Sequence, residues 1–267
     1  MIEEAVAMGI DWELVRSGPD GAEHGVLLLP GGANAARSYS EVMAQPVLAG
    51  TRLVAATLPG NVGTPPPTDF SIENYARLAS ELAADHDCDV VVGFSMGASV
   101  ALEMAASGAF KGPLVLLGIS LSEQDEPAFF RAIVRLGTVL GGLPSAMLMR
   151  MTAIAVRTAR VSDEHRAQMR ADFRRNDARV LRSGLRAYLE YLGRHESPAE
   201  RLCDTGVPTW VVHAEKGDGG LTEDERRGLE ACPRTNLITI PGTCYFLPDE
   251  EPQRVAEIIA EAVGHAE

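Results

Sequence analysis

Basic residues are scarce in this 267-residue chain, which has 24 lysines and arginines against 37 acids and a formal net charge of −13. This acidic balance argues against nucleic acid or an anionic membrane surface as the main partner. No apolar run reaches membrane-spanning length, and the first residues, MIEEAV, carry acids where a secretory signal peptide carries bases. We therefore expect a cytoplasmic protein.

Cysteine is also infrequent, and the four cysteines form no CxxC pair. They are Cys88, Cys203, Cys232 and Cys244. Such spacing favours buried or free thiols over a metal site or a disulfide framework. Neither GxGxxG nor GxxxxGK[ST] occurs, and no His/Asp/Glu cluster has metal-ligand spacing. We expect no cofactor and no metal, and a small-molecule substrate bound by a monomer or homodimer.

Short apolar runs alternate with helix patterns along most of the chain. The runs cover residues 25–32, 52–60, 90–97, 113–120, 208–215 and 236–242. They are nearly continuous in Val, Leu, Ile and Ala, as in a parallel sheet covered on both faces. Helix patterns cover residues 71–85, 98–107 and 251–263; Ser71 is a candidate N-cap, with Asn74 where a capping box prefers Glu or Gln. This rhythm predicts a doubly wound, mostly parallel α/β sheet.

Residues 121–202 depart from this alternation, because they contain successive helix patterns and no strand-like run. They predict a helical cap over the carboxyl end of the sheet, with residues 1–120 and 203–267 forming the core domain. Ser162 and Glu164 are suited to begin one of these helices. Residues 123–200 hold thirteen arginines and no lysine. These arginines form either ion-paired helix faces or a mouth that favours an anionic substrate.

The stretch GFSMG, residues 93–97, places Ser95 between two glycines after the apolar run VVV. A strand enters this motif and a small-residue helix leaves it, as in a turn that exposes a nucleophilic serine. An ordinary strand-to-helix turn is the alternative. The backbone N–H of Met96 would face a developing oxyanion. The loop after residues 27–30 offers a second donor, for which Gly32 is the first choice and Ala33 the next.

The chain resembles the α/β-hydrolase superfamily in LLLPGG, LPGNVGT, GFSMG, the helical cap, VVHAEKGD and IPGTCYFLPDEEPQRVAEII. Members include esterases, lipases, thioesterases, epoxide hydrolases, dehalogenases and lyases, so the fold alone does not identify the substrate. The resemblance implies that Ser95 is the nucleophile and that the acid follows PTWVVHA, residues 208–214. Asp218 is the best candidate for this acid, and Glu215 is a lesser one.

Two further acids, Glu123 and Asp125, occupy an alternative position for the acid that some members use. The histidine of the family's triad is missing, because Tyr245 stands in its place. None of the six histidines is an obvious substitute, although a cap histidine, His165 or His195, would serve if it reached Ser95.

Three functions remain open at this stage. The first is hydrolysis of an ester, thioester or related acyl bond by Ser95, Asp218 and Tyr245. The second is a lyase, isomerase or cyclase reaction in which Tyr245 is the acid or base. The third is a binding protein without turnover. Apolar cap residues either line a pocket or pack in the core; they are Phe129, Phe130, Met147, Met149, Tyr188 and Tyr191.

Overall fold

The computed structural model describes residues 2–7, 10–140, 156–194, 198–217 and 220–266, with side chains described from residue 12 onward except at positions 137–140. Eight strands form one sheet in the order β1-β2-β4-β3-β5-β6-β7-β8. The strands are β1 (Ile2–Ala7), β2 (Ile10–Ser17), β3 (Gly25–Leu29), β4 (Arg52–Ala56), β5 (Val90–Phe94), β6 (Leu114–Leu117), β7 (Thr209–Lys216) and β8 (Thr235–Thr243).

Strand β2 is antiparallel to both of its neighbours, and strands β4, β3, β5, β6, β7 and β8 pair in parallel. The six apolar runs therefore correspond to β3 through β8, and the predicted mostly parallel α/β sheet is confirmed. The hairpin β1–β2 was not predicted from the sequence. It lies at the edge of the sheet, where a strand needs less of the continuous apolar character that marks buried parallel strands.

Ten α-helices lie among the described residues. They are α1 (Ser40–Met43), α2 (Ile72–Asp85), α3 (Met96–Ala106), α4 (Ala128–Leu140), α5 (Asp163–Arg175), α6 (Ala178–Leu192), α7 (Pro198–Asp204), α8 (Glu223–Glu230), α9 (Leu247–Glu250) and α10 (Pro252–Val263). The three predicted core helices correspond to α2, α3 and α10. Ser71 is the N-cap of α2, where its side chain accepts the Asn74 backbone N–H at 3.2 Å.

The central strands are buried on both faces of the sheet. Val92 of β5 lies between Leu28 of β3 and Val115 of β6, and none of the three side chains is exposed. Helices α2 and α3 cover one face, and α1 and α10 cover the other. Complete burial of a side chain of this kind contributes about 1.5–3 kcal/mol, so this double covering forms the core.

Helices α4, α5, α6 and α7 all lie between β6 and β7, and the described part of residues 121–202 contains no strand. Ser162 caps α5 by accepting the His165 backbone N–H at 3.1 Å. The described part of this segment is helical, as predicted. The boundaries of the segment as a cap remain a prediction. The helix pattern at residues 145–155 lies outside the described residues. Of the helices in the described part of the chain, none is long and apolar enough for a membrane crossing.

One expectation about cysteine is wrong. Cys203 of α7 and Cys232, just after α8, form a disulfide with a Cα–Cα distance of 5.6 Å. The two helices pack side by side, which brings together residues 29 positions apart, and linear spacing does not show such a contact. Cys88 and Cys244 are free and buried, as expected.

Candidate active site

Ser95 lies at the junction between β5 and α3, which begins at Met96. Its backbone angles are φ +51° and ψ −118°, a conformation that non-glycine residues rarely adopt because the side chain crowds the backbone. Its backbone N–H donates to the Leu117 carbonyl oxygen of β6 at 2.9 Å. The turn therefore holds Ser95 in a strained conformation at a helix N-terminus, as the GFSMG motif predicts.

Both glycines of the motif are required by close backbone packing. A Cβ on Gly93 would lie 2.2 Å from the Gly97 carbonyl oxygen, and a Cβ on Gly97 would lie 2.4 Å from the Leu29 carbonyl oxygen. Since the opposing atoms are backbone atoms, they cannot rotate out of the way. The turn that presents Ser95 therefore tolerates no side chain at either flanking position.

The loop after β3 lies against this turn. A Cβ built on Gly31 would be 3.3 Å from the Ser95 Cβ, and one built on Gly32 would be 3.7 Å from the Met96 Sδ. Met96 occupies the first position of α3, where a backbone N–H has no acceptor within the helix. The structure therefore brings Gly32 and Met96, the two preferred anion donors, close to Ser95.

Ala33 requires a correction, because its backbone N–H donates to Asn61 Oδ1 at 3.1 Å and is not available to an anion. Asn176 follows α5 and donates from Nδ2 to the Ala33 carbonyl oxygen at 3.0 Å. Its Oδ1 accepts the Val62 backbone N–H at 2.9 Å. Asn61 and Asn176 thus fix the loop after β3. Asn61 lies in the LPGNVGT stretch, whereas no sequence motif marks Asn176.

A cavity of about 200 Å³ opens beside Ser95. Its described lining holds six of the fourteen aromatic residues of the chain. The lining residues are Gly32, Ala33, Asn34, Phe94, Ser95, Met96, Glu126, Phe130, Phe173, Leu181, Leu185, Tyr188, Tyr245 and Phe246. Pockets for drug-sized ligands usually measure about 300–1,000 Å³, so this cavity suits a smaller molecule.

Tyr245 follows β8 and lines the same cavity as Ser95, with 39% of its surface exposed. The backbone N–H groups of Tyr245 and Phe246 both donate to Glu250 Oε1, at 2.7 and 2.9 Å. These bonds fix the segment that carries the phenol. The structure therefore brings together Ser95 and Tyr245, as the motif order predicts.

None of the predicted acids that the structure describes lines the cavity. Asp218 lies outside the described residues. Glu215 is exposed at the end of β7, where Oε2 accepts the Gly242 backbone N–H at 2.9 Å. Glu123 forms an ion pair with Arg135. Neither Glu215 nor Glu123 lines the cavity.

Asp125 is buried away from the cavity lining. Its Oδ2 accepts the backbone N–H groups of Leu121 and Ser122 at 2.8 and 3.0 Å. Burial, followed by the neighbouring carboxyl group of Glu225, raises the pKa of Asp125 to about 7. Asp125 therefore serves the packing of the loop after β6 and does not contact the cavity.

The acid that does line the cavity is Glu126, one position beyond the predicted alternative. Its Oε1 accepts Ser120 Oγ–H at 2.7 Å and Tyr188 O–H at 2.8 Å. Burial, with the nearby Glu126 carboxylate, raises the pKa of the Tyr188 phenol well above its ordinary value. Tyr188 therefore remains protonated and keeps its donor directed at Glu126.

No described histidine lines the cavity. His195 lies outside the described residues, and the others have positions elsewhere. His24 contacts Asp89, His86 contacts Arg16, His165 contacts Asp249, His213 is buried in β7, and His265 packs against Trp210. Nor do the described residues contain a group of three or more His, Cys, Asp or Glu side chains able to hold a metal ion.

Six of the twelve described arginines of residues 123–200 form ion pairs. Seven pairs involve them: Arg135–Glu123, Arg160–Glu250, Arg160–Glu251, Arg166–Asp163, Arg175–Glu13, Arg186–Glu190 and Arg194–Glu73. None of these six arginines lines the cavity. Of the apolar residues singled out in this segment, Phe130 and Tyr188 line the cavity, Tyr191 is buried in the core, and Phe129 is exposed. Met147 and Met149 lie outside the described residues.

A parallel sheet covered on both faces, with a strained serine between strand and helix, defines the α/β-hydrolase fold. The model of the alpha/beta hydrolase family matches residues 26–258, and the chain belongs to this family. A comparison with curated proteins finds no match.

Solved structures resemble the whole chain at low sequence identity. A candidate aryl esterase from Burkholderia cenocepacia is 16% identical, with a TM-score of 0.80, and the match covers 100% of this chain and 99% of the other. An N-acyl homoserine lactonase, AidH, is 16% identical, with a TM-score of 0.75 and coverage of 100% and 97%. The epoxide hydrolase CorEH is 18% identical, with a TM-score of 0.73 and coverage of 99% and 98%. These likenesses establish the fold.

Proposed function

We propose that this protein is a hydrolase of small ester-type substrates, including thioesters and related acyl compounds, with Ser95 as the nucleophile. The observation that carries the proposal is the strained Ser95 at the N-terminus of α3, beside a small cavity rich in aromatic residues. A hydroxyl in this position reaches a bound carbonyl, and the helix terminus favours the negative charge that then develops. The similar structures include a candidate aryl esterase and an N-acyl homoserine lactonase.

The anion would be held by the backbone N–H groups of Gly32 and Met96. Donors that are already oriented toward a developing oxyanion contribute about 10²–10³-fold to the rate in other acyl-transfer enzymes. Asn61 and Asn176 support this function indirectly, because they hold the loop that carries Gly32. The loop would therefore need little reorganisation during the reaction.

Proton transfer from Ser95 is the slow step of this reaction. Tyrosine ordinarily titrates near 10, and lowering its pKa to 7 requires about 4 kcal/mol of differential stabilisation. Tyr245 also cannot connect Ser95 to Asp218 through two ring nitrogens, as a histidine does. A site that lacks one triad member still retains about 10³–10⁴-fold over water from its anion site and substrate binding. We therefore expect slow hydrolysis.

A second function has an observation in its favour, since Tyr245 lines the cavity and no described histidine does. A phenol suits general-acid chemistry at a polarised carbonyl, as in a lyase, isomerase or cyclase. In that case Gly32 and Met96 would polarise the carbonyl and Ser95 would not be acylated. A catalytically weak binding protein on the same scaffold would bind such molecules without converting them.

Active-site labelling and turnover distinguish these functions. We expect a fluorophosphonate probe to label the wild type at one site and to leave Ser95→Ala unlabelled. Ser107→Ala, at the other end of α3, is the matched control and should label like the wild type. Equal labelling of Ser95→Ala and the wild type would show that Ser95 is not the nucleophile. Activity that survives Ser95→Ala and is lost in Tyr245→Phe would establish the second function instead.

A further inference from the structure

The cavity beside Ser95 has a single charged side chain among its described lining residues. That side chain is Glu126, and the described lining contains no lysine, arginine or histidine. Glu126 also forms no ion pair with any described residue. A carboxylate in a small, mostly apolar cavity is costly unless a ligand or neighbour offsets its charge. The described lining of the cavity is therefore acidic in residue type, in contrast to the anion-binding entrance that the arginine count suggested.

The described hydrogen bonds of Glu126 involve only one of its two carboxylate oxygens. Ser120 and Tyr188 both donate to Oε1, at 2.7 and 2.8 Å, and Oε2 accepts no hydrogen bond from the described residues. Two donors on one oxygen fix the orientation of the carboxylate without neutralising it. Oε2 therefore remains available to a ligand in the cavity.

Six aromatic side chains belong to the same described lining as Glu126. The rings of Phe94, Phe130, Phe173, Tyr188, Tyr245 and Phe246 line the same cavity. The face of an aromatic ring carries negative partial charge and attracts alkylammonium groups, which also have apolar surface to bury. A carboxylate together with several rings therefore matches an alkylammonium group better than a neutral alkyl group or an anion.

We propose that the Glu126 end of the cavity binds an alkylammonium group of the substrate. The binding site stands on the cavity alone, whereas the consequence for turnover rests on the proposed function. Ser95 lines the same cavity, so a molecule that places its cation at Glu126 would bring an ester carbonyl to Ser95 within that cavity. The substrate class is then a small ester or related acyl compound that carries a quaternary or tertiary amine.

The first test measures binding without turnover, in a Ser95→Ala background. Choline and its neutral isostere 3,3-dimethylbutan-1-ol serve as probes in isothermal titration calorimetry. We expect choline to bind at least about tenfold more tightly than the alcohol, from cation–π and carboxylate contacts. Addition of Glu126→Gln should abolish this preference, because glutamine keeps the shape and the acceptor for Ser120 and Tyr188 but lacks the charge.

Glu123→Gln is the matched control, since it removes the same charge from the same loop outside the cavity lining. It should leave the choline preference unchanged. Phe130→Leu is a second variant that should weaken choline binding and leave the carboxylate in place. The proposal is overturned if choline shows no saturable binding, or if its preference over the alcohol survives Glu126→Gln.

The second test compares acetylcholine with its neutral isostere 3,3-dimethylbutyl acetate as substrates of the otherwise unaltered protein. We expect Glu126→Gln to raise KM for acetylcholine about tenfold more than it raises KM for the neutral ester. An equal loss of kcat for both esters would mean that Glu126 acts as a base, which overturns the proposal. If neither ester is cleaved while choline binding depends on Glu126, the hydrolase function fails and the cation site stands.

Discussion

His165 on α5 and Asp249 on α9 are joined by a hydrogen bond of 2.7 Å between Nε2 and Oδ1. The Asp249 side chain is only 2% exposed and that of His165 is 16% exposed. The hydrogen bond to Asp249 raises the pKa of His165, and burial raises the pKa of Asp249. This pair links a helix between β6 and β7 to the segment that carries Tyr245, so its protonation affects how firmly the two are held together.

The first prediction follows from the raised pKa of His165. The folded protein binds the His165 proton more tightly than the unfolded chain does, where the pKa is near 6.5. The resulting stability is therefore complete below pH 6.5 and is lost as the pH rises through the folded value. We expect His165→Gln to lower the free energy of unfolding by about 1.5 kcal/mol at pH 5.5 and by less at pH 9.

Urea unfolding at the two pH values measures this difference. His86→Gln is the control, because burial lowers the pKa of His86 and its pH trend should be opposite. Glu41 and Asp172 also face His165 and raise its pKa, so both must be left intact. A constant difference between wild type and His165→Gln across this range would contradict the prediction.

The second prediction concerns Asp125, whose pKa is raised to about 7 by burial and by Glu225. A raised acid pKa means that stability falls as the pH rises from about 3.8 through 7. Asp125→Asn resembles the protonated form and keeps an acceptor for the Leu121 and Ser122 N–H groups. We expect this variant to be more stable than the wild type at pH 8.5, by an amount on the order of 1 kcal/mol, and similar to it at pH 5.

Thermal unfolding of Asp125→Asn and wild type at pH 5 and 8.5 provides the comparison. Asp224→Asn, on the exposed first turn of α8, is the matched charge control and should show no such gain at the higher pH. A variant that is less stable than the wild type at both pH values would show that Asp125 is needed in its charged form.

The third prediction tests the turn at Ser95. Because a Cβ on Gly97 would lie 2.4 Å from the Leu29 carbonyl oxygen, Gly97→Ala must displace α3 or β3. We expect a destabilisation of more than about 2 kcal/mol and loss of fluorophosphonate labelling. Gly21→Ala is the control, since its added Cβ would meet no atom within 4 Å. Melting temperatures that drop equally in the two variants would refute the close packing at Gly97.

The fourth prediction tests the buried amide of Asn176. Asn176→Ala removes the bonds to the Ala33 carbonyl oxygen and the Val62 N–H, and leaves these two buried groups without partners. Each unsatisfied group costs about 1–3 kcal/mol, so we expect a marked drop in the free energy of unfolding. We also expect kcat to fall more than KM rises, because Ala33 adjoins the anion donor Gly32. An unchanged kcat in the folded variant would show that the position of this loop does not affect catalysis.

Much of the fold could be predicted from the sequence, because the strands β3 through β8 are buried on both faces and therefore nearly continuous in apolar residues. The turn at Ser95 could be predicted for a related reason, since a serine between glycines after such a strand has few other structural uses. The hairpin β1–β2 escaped prediction because an edge strand carries a weaker apolar signal. All of these features are predicted, or missed, from residues that are close together in the sequence.

The remaining site residues depend on contacts distant in sequence. Glu126 meets Tyr188 across 62 positions, and Asn176 meets Ala33 across 143 positions. The disulfide between Cys203 and Cys232 likewise follows from the packing of two helices. No spacing rule identifies such contacts before the helices are placed, so the polar end of the cavity could be found only in the structure.

The fifth prediction concerns Tyr245→His, which places at position 245 the histidine that the family pattern has there. Tyr245 lines the cavity with Ser95, and its backbone is held by Glu250, so a histidine at this position would share the same cavity. A histidine titrates near 6.5 and accepts a proton at neutral pH, which a phenol with a pKa near 10 does not. We expect Tyr245→His to increase ester hydrolysis by at least about tenfold, because positioned general bases contribute about 10²–10⁴-fold.

The increase should depend on pH with a midpoint near the histidine pKa and should vanish in Tyr245→His/Ser95→Ala. Tyr245→Phe is the matched control, since it removes the phenol without supplying a base and should not exceed the wild type. A correctly folded Tyr245→His that gains no activity, while Ser95 still accepts the fluorophosphonate, would show that position 245 cannot reach the Ser95 hydroxyl. Such a result would favour the alternative in which the tyrosine itself performs the proton transfer.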